Sequence, residues 1–412
     1  MTETSMQEAF DLIINGNGIF GLSLACGLYA SGLRIAIITS KKSEEVSQLS
    51  QKDLKIFIIN NASKLLLQHL HIWESFSAKQ INSFRKVIIS EQDGFGRVHF
   101  DYSKSIDQDF GYIIEYTLLQ KVLLERVEKL ENVQLIISNP LHQVSWEKDK
   151  VFIKLNDNRK LQAKLIIAAD DMCSWIRTSA GIPMIFRNYQ HHTMTAIVHT
   201  ELPHKGIIRQ IFYDDGILTF LPLKDSYLSF IIWSLPAIMA YKYLEKSINI
   251  FNVLLSRRAD LILGLCKLQE DKRQVFLFTG CYARNFATHR LILLGDAAHT
   301  IYSPVGHNVN IGFMDVAMAL EKLHCLQNEG KDIGHYPYWQ FHSYNRKCNA
   351  ILMLKEMQWF YELFIHQHPT KRCLRHIGLW LGNNFPEIKL HFIRKIMGFQ
   401  KPSPWLVKGK IF

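Results

Sequence analysis

The sequence is poor in the features that define disulfide, metal or secreted proteins. Its seven cysteines (26, 173, 266, 281, 325, 348 and 373) are scattered, with no Cys-x-x-Cys pair. This argues against a disulfide framework and a cysteine zinc site, and points to a reducing compartment. There is no low-complexity tract and no internal repeat, so a solenoid is not expected. No Ser-His-Asp or Cys-His arrangement occurs in a supporting context, so no triad hydrolase is indicated. Acids are in deficit, with 37 Asp and Glu against 48 Lys and Arg, a net charge of +11. No nucleic-acid module accompanies that charge, so nucleic acid is not an expected partner. Residues 12–33 lack any charged side chain. A membrane span is one reading of such a run, but five glycines and two asparagines within it oppose that reading. A signal peptide is another. The residues before the run hold Glu3, Glu8 and Asp11 and no basic residue, which is the wrong flank for one.

What is there reads as an α/β protein. A chain of 412 residues with 48% hydrophobic content holds two domains or one large mosaic with ample core. The stretch 291–320, LILLGDAAHTIYSPVGHNVNIGFMDVAMAL, begins as a buried strand and stops at Gly295-Asp296. A turn rich in Ser, Pro, Gly and Asn follows. Ile311, Met314, Ala317 and Leu320 then recur at helical spacing. A strand ending in a carboxylate, then a loop, then a helix N-terminus is how α/β proteins build cofactor sites. Asp296 can accept hydrogen bonds from a hydroxyl chain. Near the start, Gly16, Gly18 and Gly21 form Gly-x-Gly-x-x-Gly between a short apolar strand and a helical pattern, Leu22, Ala25, Leu28 and Tyr29. The first two glycines permit a tight turn and close approach of a diphosphate, and the third lets the helix pack on the sheet. The next strand, 33–38, is expected to end in an acid that holds a ribose. The residue there is Thr39, which offers a hydroxyl and no charge.

The 291–320 stretch resembles the GDAAH…P..G…N.G..DA motif of FAD-dependent aromatic-ring monooxygenases, the class that includes p-hydroxybenzoate hydroxylase. The stretch 166–177, IIAADDMCSWIR, resembles that class's A-D-G-x-x-S-x-x-R segment, with Asp170, Ser174 and Arg177 matching and Asp171 in place of the glycine. His307-Asn308 stands where the class has Gln-Gly. Asp and Asn tolerate a left-handed backbone better than other non-glycine residues, so both loops are expected to keep that geometry. Other stretches narrow the likeness to the ubiquinone-biosynthesis hydroxylases. These are 111–127 with Gln120, 212–236 as a substrate-domain hairpin, Lys55 in place of an arginine, and the C-terminal pattern with RHIGLWLG, Pro386, Lys389, Met397 and Gly398.

The resemblance implies a Rossmann-like FAD-binding domain with an inserted strand-rich substrate domain and a C-terminal helical region. The expected pieces are FAD-binding 1–80, 105–185 and 276–345, substrate 81–104 and 186–275, and a helical, basic region 346–412. It implies FAD held by Gly16, Gly18, Gly21, Thr39, Lys55, Gln120, Asp170, Asp296, Pro304, Gly306, Asn308, Val309 and Asn310, with NAD(P)H as a transient co-substrate. In this reading Asp296 holds the ribityl chain and the backbone around 306–310 faces the flavin pyrimidine edge. His299 and His307 are the candidate catalytic residues, and no general base is assigned. The implied reaction is hydroxylation of a polyprenylated phenol with O2 in ubiquinone biosynthesis. The eroded positions keep open a flavin-poor accessory subunit of a ubiquinone-biosynthesis complex, and a non-hydroxylating flavin reductase of the same fold.

Two further patterns remain. His191, His192, His199 and His204 cluster in sequence, but their spacing suits no zinc pattern, so no metal is expected. Phe212, Phe220, Leu221, Leu223, Phe230 and Trp233 are candidates for an apolar substrate pocket or for sheet core. Met353, Met357, Phe360 and Phe364 recur at helical spacing. Residues 371–412 hold nine Lys and Arg against the single acid Glu387, a net charge of +8. Ile388, Phe392 and Ile396 form an apolar stripe there, with Lys389, Arg394 and Lys395 off it. Such a pattern suits an anionic membrane surface. The expected location is cytoplasmic, peripheral to the inner membrane, with other ubiquinone-biosynthesis proteins as candidate partners.

Overall fold

Apolar segments far apart in sequence lie side by side in one sheet. Its order is Ala287–Thr288, Leu291–Leu293, Leu165–Ala168, Leu12–Asn15, Ile35–Thr39 and Val133–Ile137. All neighbours pair in parallel except the edge pair Ala287–Thr288 and Leu291–Leu293. Parallel strands are covered on both faces and read as continuous apolar runs, and Leu12, Ile13 and Ile14 are all fully buried. The computed structural model describes residues 7–39, 55–77, 80–92, 97–101, 109–137, 141–301 and 308–364, with scattered positions among 385–407.

Helix Ile19–Gly27 follows the first glycine turn, and its residues from Ile19 to Cys26 are buried. The uncharged run 12–33 is therefore a buried strand and helix followed by a turn in which Tyr29, Ala30 and Gly32 are exposed. Helices Asn61–His69, Tyr116–Val127 and Asn308–Asn328 share that core with it. A second core lies on the other face of the sheet. There Val151, Ile153 and Leu161, from the smaller four-stranded sheet, meet Ala350 and Leu354 of helix Gln340–Phe364.

The second large sheet has nine strands. It takes Lys86–Glu91 and Arg97–Asp101 from early sequence, and Met184–Thr200, Ile207–Tyr213, Gly216–Pro222, Leu228–Pro236 and Gln274–Ala283 from later sequence. Period-two alternation gives this sheet two faces. One turns Phe220, Trp233 and Leu218 onto Tyr243, Phe251 and Leu255 of helices Ala237–Leu244 and Ile248–Arg258. The other turns Leu221, Phe230 and Ile232 onto Ile58 and Ile113 of a three-stranded sheet. The candidate pocket residues are thus mostly core: Phe212, Phe220, Leu221, Phe230 and Trp233 are at most 4% exposed.

Helix Gln340–Phe364 begins before 346 and is tied to the cofactor sheet. Ser343 Oγ accepts from the N–H groups of Phe286 and Ala287, both at 3.1 Å. Ile388, Phe392 and Ile396 lie outside the described residues. Of their neighbours, Ile393 and Met397 are buried against the large sheet and Arg394 is exposed.

Candidate active site

A cleft of about 470 Å³ opens where the parallel strands end. Gly16, Gly18, Thr39, Lys55, Gln120, Asp170, Asp296, Asn308 and Val309 line it. Side chains spread from residue 16 to residue 309 thus meet at the carboxyl ends of parallel strands, where α/β sheets bind ligands.

Each is placed by local chemistry. Gly16 has φ +114°, and a Cβ there would stand 2.7 Å from Ala169 O. A Cβ on Gly21 would stand 2.4 Å from Gly16 O, so this glycine sets the approach of helix to turn and lies behind the cleft. Gln120 Nε2 donates to Asn17 O at 2.9 Å and braces the same turn. Asn15 Nδ2 donates to Asp170 Oδ2 at 2.8 Å, joining the ends of two neighbouring strands. Asp170 Oδ1 is buried and meets no donor at hydrogen-bonding geometry. Burial pushes the Asp170 carboxyl up to about 6. Ser174 caps helix Trp175–Ser179 by accepting from Arg177 N–H. Arg177 Nη1 donates to Met172 O at 2.8 Å and to Ala297 O at 3.2 Å, linking the Asp170 turn to the Asp296 turn.

The Asp296 turn is held by a buried carboxylate. Gly295 has φ +56°, and a Cβ there would enter the Phe20 ring. Asp315 Oδ2 accepts from Gly295 N–H at 3.1 Å and stands 2.7 Å from His299 Nε2. Asp315 Oδ1 accepts from Arg346 Nε at 2.5 Å, and Arg346 Nη2 donates to Ile311 O at 3.2 Å. Burial opposes the charge on Asp315, but Arg346 and then His299 outweigh it and hold the carboxyl well below its usual range. Asp296 thus sits between two residues clamped by one side chain. Burial raises its own carboxyl.

The structure shows how several of the expected site positions are used. His299 is a buried partner of Asp315 and stacks on Phe286, so its Nε2 is committed to holding the turn. The side chain of Asn310 is also committed. It accepts from Asn60 N–H and Ser63 Oγ and donates to Ile58 O, joining helix Asn308–Asn328 to the strand Ile56–Asn60. Asp171 has no positive φ, against the left-handed geometry expected of it. Asp171 instead accepts from Cys173 N–H at 2.8 Å through its own carboxylate, and Asn308 begins a right-handed helix. Pro304, Gly306 and His307 lie outside the described residues.

The four clustered histidines separate. His191 Nδ1 meets Ser234 Oγ at 3.3 Å, His199 stacks on Tyr227, and His204 bonds to the carbonyls of Leu223 and Asp225. His192 meets Tyr241 edge-on. Asn15, Phe57, Tyr116, Leu141 and Trp175 also line the cleft and were not foreseen from sequence. Tyr116 had a signal, since it precedes Gln120 by one helical turn on the same helix.

The cleft fits a dinucleotide cofactor. It offers a glycine turn that no side chain could replace, a helix end without a side-chain cap, and a partnerless carboxylate oxygen. Its charge is less favourable: Asp170, Asp171 and Asp296 face the single cation Lys55 among the described lining residues.

The sequence profile described as FAD binding domain matches residues 9–352. The 3-demethoxyubiquinol 3-hydroxylase of Escherichia coli (strain K12) is 27% identical over 388 residues, covering 94% of this chain and 98% of that protein. The ubiquinone hydroxylase UbiL of Rhodospirillum rubrum is 26% identical over 403 residues, covering 97% and 92%. Among solved structures, p-nitrophenol 4-monooxygenase PnpA from Pseudomonas putida DLL-E4 superposes with a TM-score of 0.73 at 15% identity, over 98% of this chain and 100% of that one. The Diels-Alderase PyrE3 does so with a TM-score of 0.73 at 18% identity, over 96% and 82%, so the likeness to solved structures speaks for fold alone. The match over residues 9–352 decides the family: this chain belongs to the FAD-binding domain family of flavin-dependent monooxygenases.

Proposed function

We propose that the protein hydroxylates the aromatic ring of a polyprenylated phenol in ubiquinone biosynthesis, with FAD as cofactor and NAD(P)H and O2 as co-substrates. The observation that carries this is the end-to-end match to relatives named as ubiquinone hydroxylases, over 94% and 97% of the chain. Full-length similarity to named hydroxylases favours this reading over an accessory subunit or a reductase.

Bound in the cleft, FAD supplies the transfer of reducing equivalents from NAD(P)H to O2 and of one oxygen atom to the ring. Gly16, Gly18 and the end of helix Ile19–Gly27 would hold the diphosphate, and Asp296 would accept from the ribityl hydroxyls. Thr39 would offer its hydroxyl to the adenosine ribose. Strand Ile56–Asn60 separates cofactor from substrate: Phe57 lines the cleft, while Ile58 packs on the large sheet. The sheet face met by Ile58 is suited to a neutral ring. Its central row pairs Gln210 with Thr219, Thr219 with Ile232 and Ile232 with Thr195, so none of the four is charged. All four are buried, with Gln210 Nε2 donating to Thr219 Oγ1 at 3.4 Å. A benzoate-type substrate would need a cation there, because an unpaired buried carboxylate costs several kcal/mol.

A prenyl tail on the substrate would call for a protein that works at a membrane surface. Among the described residues no helix is long and apolar enough to cross one. The net charge of +8 over residues 371–412 and the exposed Arg394 support peripheral contact with an anionic surface.

The test is oxygen uptake by FAD-loaded protein with NADH or NADPH, and analysis of the product from a short-chain polyprenyl phenol. Hydroxylated product made only when phenol, reductant and O2 are all present is the expected outcome. A colourless protein that does not quench added FAD would defeat the reading.

A further inference from the structure

The first-turn N–H groups of a helix have no partners within it, and Gly18, the cap of helix Ile19–Gly27, provides no side chain for them. Tyr116 lies over this end. Its hydroxyl stands 3.8 Å from where a Cβ on Gly18 would be, on the side of the Ile19 N–H. The residue is held in place from both ends. Its N–H donates to Lys55 O at 2.9 Å, and its ring meets Phe57 edge-on at 5.6 Å. Both rings line the cleft.

Burial and then the charge of Asp296 push the Tyr116 phenol up to about 12, so it keeps its proton at neutral pH. A hydroxyl that accepts from an N–H becomes a better donor through its own O–H, because the two bonds polarise each other. The cleft needs such donors. Asp170, Asp171 and Asp296 oppose an incoming anion, Lys55 alone among the described lining residues attracts one, and Thr39 adds no charge.

We propose that Tyr116 is a diphosphate-binding residue of the cofactor site: its hydroxyl takes the Ile19 N–H and presents its own proton to a phosphate oxygen. The tyrosine extends the positive end of helix Ile19–Gly27 into the cleft by the length of one hydroxyl. This inference rests on the reading of the cleft as an FAD site.

The experiment compares wild type with Tyr116→Phe, which removes only the hydroxyl. FAD is titrated by fluorescence quenching, and ADP and adenosine are titrated separately by calorimetry. The Phe variant is expected to keep the wild-type circular dichroism spectrum. It should bind FAD on the order of ten-fold more weakly, the effect of one hydrogen bond to a charged group. ADP should weaken alongside FAD, and adenosine, which has no phosphate, should not. An unchanged FAD affinity overturns the proposal. So does a tighter one, which would mean that the hydroxyl blocks the helix end. Equal weakening of adenosine also overturns it, since the variant would then disturb the adenosine pocket. A wild type that binds neither FAD nor ADP defeats the reading of the cleft itself, and this role with it.

Discussion

At the scale of single residues, the cofactor cleft balances one acceptor that it needs against carboxylates that it tolerates. Asp296→Ala removes the proposed acceptor for the ribityl hydroxyls, and flavin occupancy of the purified protein, read from its visible spectrum, should fall. Asp171→Gly and Thr39→Glu act in the other direction. The first removes a carboxylate whose local use is one bond to Cys173 N–H, and the second restores an anionic partner for the ribose. Each should tighten FAD by about 1 kcal/mol, roughly five-fold. If titration shows both weaken it, the adenosine half lies elsewhere. Asp170 makes the same balance depend on pH. Its carboxyl moves from an ordinary 3.8 to about 6 on folding, so the folded protein binds this proton more readily. The cost of its charge is present above pH 6 and is relieved as pH falls toward 4. Asn15, Asp171, Ser174 and Arg177 surround it, and Asp296 and Lys55 share the cleft. FAD should therefore bind more tightly at pH 6 than at pH 8, and Asp170→Asn should bind more tightly at pH 8 with a smaller pH dependence. Equal slopes for wild type and variant would assign the effect to another group.

Elements of the fold meet at Asp315. One carboxylate binds the turn at Gly295, the strand at His299 and the helix Gln340–Phe364 through Arg346. Arg346→Met leaves that carboxylate buried with only His299 and the Gly295 N–H as partners, and loss of one partner of a buried pair costs about 3–5 kcal/mol. Thermal unfolding should show a loss of this size, and bound FAD should release with it because Asp296 lies inside the clamped turn. The same group gives an acid limit. Asp315 is held below its unfolded value, so its contribution is present above the ordinary carboxylate range and is lost as pH falls through the folded value. In sequence Asp315 was legible only as part of a motif. Arg346 was not legible as a partner, because a helical pattern does not say which turn of another helix its polar face will reach. The role of His299 was open in the sequence for the same reason, since a histidine beside a binding motif looks the same whether it faces a ligand or a buried acid.

For the whole molecule, the proposed substrate sets a requirement, because a prenyl tail has to be reached at a membrane surface. The charge on residues 371–412 predicts salt-sensitive binding to anionic vesicles, at roughly 1 kcal/mol per basic residue near the surface. Reversal of Lys389, Arg394 and Lys395 to Glu should weaken flotation with those vesicles. Flotation unchanged by the triple reversal would assign the charge to a protein partner instead. The burial of Ile393 and Met397 against the large sheet narrows the mechanism. Apolar residues of this segment already serve the core, so charge should contribute more to membrane contact than an inserted apolar face.

The sequence by itself determined the family, the glycine turn, the carboxylate at the end of the strand and the alternation of the large sheet. These depend on local spacing: glycines where a backbone must turn, a carboxylate at a strand end, and apolar residues at period two. Only the tertiary structure decided which polar residues line the cleft and which hold the frame. Asn310 and His299 lie inside the recognised motif yet point into the scaffold. Tyr116 lies outside it yet overhangs the end of helix Ile19–Gly27. The physical reason is that a side chain's partner is fixed by the packing of elements distant in the chain, as Asp315 with Arg346 or Asn310 with Asn60. Local pattern carries no record of that contact.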